Sequence, residues 1–401
     1  MVEARKKEEK ERQECPLFYL VTGEASGDLL GARLMRTLRK KMHGQVCFAG
    51  VGGPRMLQEG LDPLFDQSDL SHMGIVEIIL HLPKILRRIR QTSDDVLARR
   101  PVALITIDSP DFCFRVAQKL KGCGIPLIHY VAPSVWAWRP ERAKMIAGFL
   151  DHLLVLLPFE PPYFTKEGLP CTFVGHPLVE SGASSGDGER FIKKYNVQKG
   201  ATLVMLLPGS RAGEIKRLLP VFYRTVLMLA TYYPKLEIVV PTVPHVAALV
   251  EHKVKSWPVK VHFTYTDEDK YDAMAAARAA LACSGTVSVE LAMAKLPSVI
   301  AYKANALTVF FARRLIKTRF FTLINIMKNR AVMPEFLQEN CTPVKLVVAL
   351  RDVIDNSVAR TKQVGDLASI SAWLGSGQFV PSEKAAMTVW RVAFSTQRKK
   401  S

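Results

Sequence analysis

Short, almost wholly apolar runs recur along this chain, each followed by a turn and then by a longer stretch with apolar residues at helical spacing. In the first half the runs are Leu17–Thr22, Val46–Val51, Val102–Ile107, Leu127–Val131 and Leu153–Leu157; after Gly23–Asp28 an amphipathic helix is predicted through about Lys41. Leu203–Leu207, Leu236–Val240, Val259–Phe263, Ala279–Ala282 and Ser298–Ala301 repeat the rhythm, and beyond about residue 342 only helical patterns remain. Such alternation implies parallel sheet. Between the halves, Gly182–Gly188 turns small and polar, the composition of a linker. The predicted fold is α/β: two doubly wound, Rossmann-like domains facing across a cleft, with ligands at strand carboxyl ends. The expected boundaries are a charged lead-in over 1–15, a first domain over 16–180, the linker over 181–188, a second domain over 189–365 and terminal helices over 366–401.

The 401 residues suffice for two domains of ordinary size, and 48% apolar content supports a full core. Charge narrows the partners. The 55 basic against 37 acidic residues give +18, which favours nucleic acid, an anionic membrane surface or phosphorylated substrates. With no zinc-finger spacing and no RRM-type aromatic motif, nucleic acid is set aside. Seven cysteines (15, 47, 113, 123, 171, 283, 341) are scattered without a Cys-x-x-Cys pair. That is the usage of a reducing compartment, not of a disulfide framework or a zinc site. Met1–Glu14 mixes both charges without an apolar core, unlike a secretory signal, and no run of about 18 apolar residues predicts a spanning helix. A soluble or peripheral protein is expected.

Two turns in the second half are suited to phosphate. Leu206–Arg211 ends a strand and opens a helix: Gly209 permits close backbone approach, the helix start offers unpaired N–H groups, Ser210 adds a hydroxyl and Arg211 a bidentate cation. The plainer reading is a serine cap beside a solvated arginine. Cys283-Ser284-Gly285-Thr286 also follows a strand; Ser284 or Thr286 would cap the next helix, and Glu290, one turn inside, would accept both hydroxyls of a ribose or stand as a surface glutamate. Two such turns in one domain point to a nucleoside diphosphate. Gly50-Val51-Gly52-Gly53 lacks the dinucleotide spacing and reads as a structural turn.

The first half carries the acid–base candidates. Ile107–Phe112 places Asp108 and Asp111 at a strand's carboxyl end; Asp111 also suits the first turn of a helix, whereas Asp108, held out of the helix by Pro110, is the candidate general base. Gly23–Asp28 is a second strand-to-helix turn, with Glu24 beside the ligand and Ser26 or Asp28 as its cap. Tyr130–Arg139 brings Pro133, Ser134, Trp136, Trp138 and Arg139 into a loop that lines a pocket or closes a domain edge. His176 lines the cleft or is structural. Two basic amphipathic segments, 75–90 and 307–321, suit an anionic bilayer or a greasy phosphorylated substrate, or bury their apolar faces in the core.

Read in order, Gly-Glu-Ala-Ser-Gly-Asp (23–28), Gly-Val-Gly-Gly-Pro-Arg-Met (50–56), Met-Gly-Ile-Val-Glu (73–77), Ile-Asp-Ser-Pro-Asp-Phe (107–112) and the 130–139 stretch resemble the lipid-A-disaccharide synthase family. So do Leu-Pro-Phe-Glu (157–160), Phe-Val-Gly-His-Pro (173–177), Leu-Leu-Pro-Gly-Ser-Arg (206–211) and Ser-Gly-Thr (284–286), a resemblance running from about residue 17 to 345. It implies the GT-B glycosyltransferase fold, an acceptor-binding first domain and a UDP-sugar-binding second one, with no cofactor and no metal. The implied reaction joins UDP-2,3-diacylglucosamine to 2,3-diacylglucosamine 1-phosphate (lipid X), giving a β-1,6 disaccharide and UDP. The implied location is the cytoplasmic face of the inner membrane, held peripherally at its anionic surface. By resemblance Asp108 is the essential aspartate, Arg211, Glu290 and Asn325 belong to the UDP site, and Ser26 lies in the N-terminal turn. Where the family has Leu-Pro-Asn, this chain has Leu323-Ile324-Asn325. The late helices either fold back on the first domain or exchange with a second copy, which leaves a homodimer open. Two other readings compete: another UDP-sugar enzyme on the same fold, such as a UDP-GlcNAc 2-epimerase or a transferase with a different acceptor, and an inactive lipid-binding protein. An epimerase would leave the basic apolar segments unexplained, and a binder would not need Asp108, Arg211 and Glu290.

Overall fold

Each long apolar run forms a strand in the computed structural model, which describes residues 15–71, 77–283, 285–305 and 318–395. The first sheet holds β1 (Leu17–Thr22), β2 (Cys47–Val51), β3 (Asp62–Pro63), β4 (Ala103–Ile107), β5 (Leu127–Tyr130), β6 (His152–Val155) and β7 (Cys171–Phe173), ordered β3-β2-β1-β4-β5-β6-β7. The second holds β8 (Thr202–Leu207), β9 (Leu236–Pro241), β10 (Lys260–Thr264), β11 (Ala279–Cys283), β12 (Ser298–Tyr302) and β13 (Glu335–Leu337), ordered β10-β9-β8-β11-β12-β13. Both sheets are parallel throughout. Their order reverses between β1 and β4 and between β8 and β11, and ligands bind outside strand carboxyl ends at such switch points. β1 shows why the runs are apolar on every position: Phe18 and Leu20 enter one core cluster while Tyr19 and Val21 enter another, because helices cover both faces. The unforeseen strands β3, β7 and β13 are two- or three-residue pieces that are nowhere fully buried, so they carry no apolar run.

The chain divides into two units, Leu178–Gly377 and the remainder on either side of it. The boundaries expected at 180 and 365 are displaced. Helix Ser357–Trp373 stays with the second unit, where the buried Gln363 amide bonds Ser298 N and O and Val332 O at 2.9–3.0 Å. Only the last helix, Pro381–Ser395, returns to the first unit, where Ala385, Ala386, Val389 and Ala393 join Phe18, Leu20, Leu34 and Leu38 in one cluster. Small residues let it approach closely. Folding back is thus realised within this chain.

The expected linker is a docked segment. Asp187 N donates to Asp272 Oδ1 at 2.7 Å, and a Cβ on Gly186 would fall 2.0 Å from Tyr271 O, so its small residues serve close packing on helix Asp267–Ala276 rather than freedom. The cysteine reading also needs correction. Cys15 and Cys47 form a disulfide, with Cα atoms 5.9 Å apart. The parallel register places Leu17 opposite Cys47, so neighbours in space are 32 residues apart in sequence and no spacing motif announces them.

Of the first amphipathic segment, helix Glu77–Arg99 buries Ile89 but leaves Leu82 and Leu86 41% and 49% exposed. Lys84 and Arg88 both pair with Asp69. Residues 72–76, most of the second segment (306–317), the lead-in and the basic tail lie outside the described residues. Among the described residues no helix is long and apolar enough to cross a membrane.

Candidate active site

β1 and β4 end side by side, and the turns leaving them carry the first candidates. The Asp108 N–H donates to Tyr130 O at 3.0 Å, and Asp108 and Ser109 both adopt left-handed backbone, with φ of 54° and 43°. Such residues cost about 1–3 kcal/mol each and persist where their surroundings hold them. Pro110 opens helix Pro110–Lys119 immediately behind, so the chain must turn within these two residues. Ser26 Oγ donates to Asp108 Oδ2 at 2.9 Å. Burial, then the Asp108 charge, raises the Glu24 carboxyl above its ordinary range. Gly23 lies close to this turn: a Cβ there would stand 2.8 Å from the buried Ser109 Oγ and push it aside.

Asp28 has a different task from the expected cap of its own helix. Helix Ala25–Lys41 starts at Glu24 without a side-chain cap, and both Ser26 and Asp28 lie inside it. Buried Asp28 instead accepts from Gly53 N, Arg55 N and Met56 N at 2.9–3.0 Å, capping the neighbouring helix Pro54–Gln58. Two sequence motifs thereby become one structural unit, and the Gly50–Gly53 turn is indeed structural. Gly50, at φ 135°, would bring a Cβ within 1.9 Å of Leu20 O.

The 130–139 stretch divides its two tryptophans. Trp136 Nε1 donates to Glu160 Oε1 at 3.2 Å, and its ring meets Phe159 edge-on at 5.4 Å. Glu160 Oε2 accepts from Leu157 N at 3.0 Å, yet burial still pushes this carboxyl up to about 7. Trp138 is exposed and carries the guanidiniums of Arg139 and Arg142 at 4.6 and 5.5 Å from its centroid. Asp111 faces solvent and pairs with Arg142 at 3.6 Å, the first-turn acid of its helix. His176 is buried, which lowers it to about 4 and keeps it neutral.

In the second unit the turns after β8 and β11 converge on one cavity of about 290 Å³, lined by Gly209, Ser210, Gly285, Thr286 and Glu290. Gly209 has φ 107°, and a Cβ there would stand 2.7 Å from Glu214 Oε2. Helices Ala212–Tyr232 and Val287–Met293 begin here, with Arg211 and Thr286 at their cap positions and no side-chain capping bond. Their first N–H groups and partial positive charge suit an anion. Arg211 is 84% exposed beside Glu214 at 3.5 Å. Ser284 lies outside the described residues.

Three groups in this cavity were not foreseen. Lys270 Nζ donates to Glu290 Oε1 at 2.9 Å, where Tyr271 OH also donates at 3.3 Å. Burial opposes the Lys270 charge, but Glu290 and Asp267 outweigh it and raise its pKa. Thr242 and Thr264, at the ends of β9 and β10, line the cavity with buried hydroxyls that have no protein partner among the described residues. Buried hydroxyls are normally bonded, which makes these two candidates for contact with whatever enters the cavity. Asn325, expected at the UDP site, is engaged within the protein. It is fully buried; its amide donates to Met333 O and Glu335 Oε1 at 2.7 and 2.8 Å, and its carbonyl accepts from Val332 N and Met333 N at 2.8 and 2.9 Å. All four of its hydrogen-bonding positions are filled, which leaves none for a nucleotide.

A family profile described as lipid-A-disaccharide synthetase matches residues 18–388. The lipid-A-disaccharide synthase of Rhodospirillum centenum is 52% identical over 378 residues, 94% of each chain. Among solved structures, the glycotransferase of kitacinnamycin superposes with a TM-score of 0.65 at 16% identity, covering 94% of this chain and 99% of that one. UDP-GlcNAc 2-epimerase from Neisseria meningitidis, bound to UDP-GlcNAc, gives 0.61 at 13% with the same coverage. At those identities the likeness is one of fold, the GT-B architecture that transferases and epimerases share. The profile match and the close relative decide kinship: the chain belongs to the lipid-A-disaccharide synthase family.

Proposed function

We propose that this chain is an inverting glycosyltransferase, moving a 2,3-diacylglucosaminyl group from UDP to the 6-hydroxyl of 2,3-diacylglucosamine 1-phosphate. The products are a β-1,6 disaccharide 1-phosphate and UDP. One observation carries the reading most: Asp108, on a strained turn at the end of β4, is oriented by Ser26 in the first turn of helix Ala25–Lys41. Asp108 removes the acceptor hydroxyl proton as that oxygen attacks the donor anomeric carbon, and the bond to UDP breaks on the opposite face. A single displacement inverts the configuration. The diphosphate takes the leaving electron pair, and the amides at the starts of the two helices, Arg211 and Lys270 stabilise its charge. Glu290, held by Lys270 and Tyr271, accepts from the ribose hydroxyls.

The exposed Leu82 and Leu86, beside Lys84, Arg87 and Arg90, favour peripheral contact with an anionic membrane, on the cytoplasmic side where UDP-sugars are found. The test is UDP release by the purified protein from UDP-2,3-diacylglucosamine, with and without lipid X, in detergent micelles. Acceptor-dependent release that Asp108→Ala abolishes is expected. Acceptor-independent release would point to a hydrolase or epimerase, and near-normal turnover by Asp108→Asn would move the base elsewhere.

A further inference from the structure

Helices Pro110–Lys119 and Glu141–Ala147 of the first unit enclose a groove of about 410 Å³ that the transfer chemistry above does not use. Three guanidiniums line it, those of Arg115, Arg139 and Arg142, against the carboxylates of Asp111 and Glu141. The Asp111 side chain is 92% exposed and 3.6 Å from Arg142. An exposed pair of that kind holds about 0–1 kcal/mol, so a stronger anion displaces it readily. Arg139 and Arg142 are stacked on Trp138, which limits the rotamer freedom they would lose on binding. Arg139 also sits at φ 53°, a strained backbone for a residue with a side chain.

The floor of the groove is of another kind. Phe114 and Phe149 are buried and Met145 is 49% exposed, so a cationic mouth opens onto an apolar surface. That combination fits an amphiphile with an anionic head. Arginine forks match phosphate oxygens two at a time, and a phosphate dianion outcompetes one carboxylate. Location adds a constraint: Pro110, on the groove wall, is two residues beyond Asp108, at most roughly 7–8 Å in Cα distance. The groove wall thus begins close to the residue proposed to hold the acceptor hydroxyl, within the span of one sugar ring and its substituent.

We propose that this groove binds the phosphate monoester of the acceptor, with Arg115, Arg139 and Arg142 as its ligands and Phe114, Met145 and Phe149 supporting an acyl chain. The proposal rests on the acceptor reading given above. Equilibrium binding of the full-length protein to lipid X and to its 1-dephosphorylated analogue, by calorimetry in neutral detergent micelles, tests it without requiring turnover. The wild type should prefer the phosphorylated acceptor. Arg115→Gln and Arg139→Gln, both at exposed positions, should each weaken lipid X binding roughly 10- to 100-fold, the usual span for a charged hydrogen bond, and leave the analogue within about twofold. UDP affinity should stay constant. Equal loss for both acceptors, or no wild-type preference, overturns the proposal. So does loss of binding to phosphatidylglycerol vesicles with the acceptor preference intact, which would make the groove a membrane contact. A preserved phosphate preference without any UDP release would refute the assigned reaction and leave the groove standing.

Discussion

Asn325→Ala sets a packing role against the nucleotide contact that family resemblance implies. Deleting the amide leaves Met333 N and Met333 O without partners in a fully buried environment, while Val332 N keeps a second acceptor, Arg330 O at 3.0 Å. Glu335 retains the Phe321 and Thr322 N–H donors. Two stranded backbone groups at about 1–3 kcal/mol each, eased where water enters the space left behind, give about 3 kcal/mol. For a unit of this size that lowers the unfolding midpoint by roughly 6–12 °C. Calorimetric unfolding checks the first number, and UDP titration well below the midpoint checks the second, with affinity expected within about threefold of wild type. A midpoint within roughly 2 °C of wild type together with a more than tenfold loss of UDP affinity would refute the saturation argument. Asn325 would then have to leave its four partners when nucleotide binds.

Three further outcomes follow from the same kind of accounting. Asp28→Ala strands the buried Gly53 and Met56 N–H groups and should destabilise the first unit by about 3 kcal/mol in urea unfolding, with UDP binding unchanged; a loss below about 1 kcal/mol would mean that the helix cap matters little. Thr264→Val removes a hydroxyl that has no protein partner among the described residues, so unfolding should be unaffected while UDP affinity drops about 3- to 10-fold, and unchanged affinity would remove this hydroxyl from the nucleotide site. Glu160 rises from 4.5 to about 7 on folding. A carboxyl raised in the folded state contributes stability that is complete below its ordinary value and is lost as pH climbs through about 7, here about 3 kcal/mol. Glu160→Gln, neutral at every pH, should flatten the stability profile of the first unit across that window, and identical slopes for variant and wild type would rule Glu160 out as its source.

Much of the proposed site was readable in one dimension because strand ends are predictable. An almost wholly apolar run that stops at Ile107 puts Asp108 at the carboxyl end of a parallel sheet, and glycines at 209 and 285 after β8 and β11 line the cavity proposed for the diphosphate. Linkage between the motifs was not readable. Asp28 finds Gly53, Trp136 finds Glu160 and Lys270 finds Glu290 across 20 to 25 residues, with no periodicity to announce the pairing. Composition misled where small residues have two uses, since Gly186 lies tight against Tyr271 instead of loosening the chain.

The sequence by itself determined the two parallel sheets, their doubly wound order of strands and helices, and the turns at the strand carboxyl ends. Those follow from local hydrophobic period and from which residues tolerate a strand-to-helix turn. Tertiary structure alone decided what each polar group at those turns is free to do. A side chain's hydrogen-bonding capacity is spent or left open by how the folded chain arranges its neighbours: Asn325 is saturated by Val332, Met333 and Glu335, while Thr242 and Thr264 have no protein partner for their hydroxyls among the described residues.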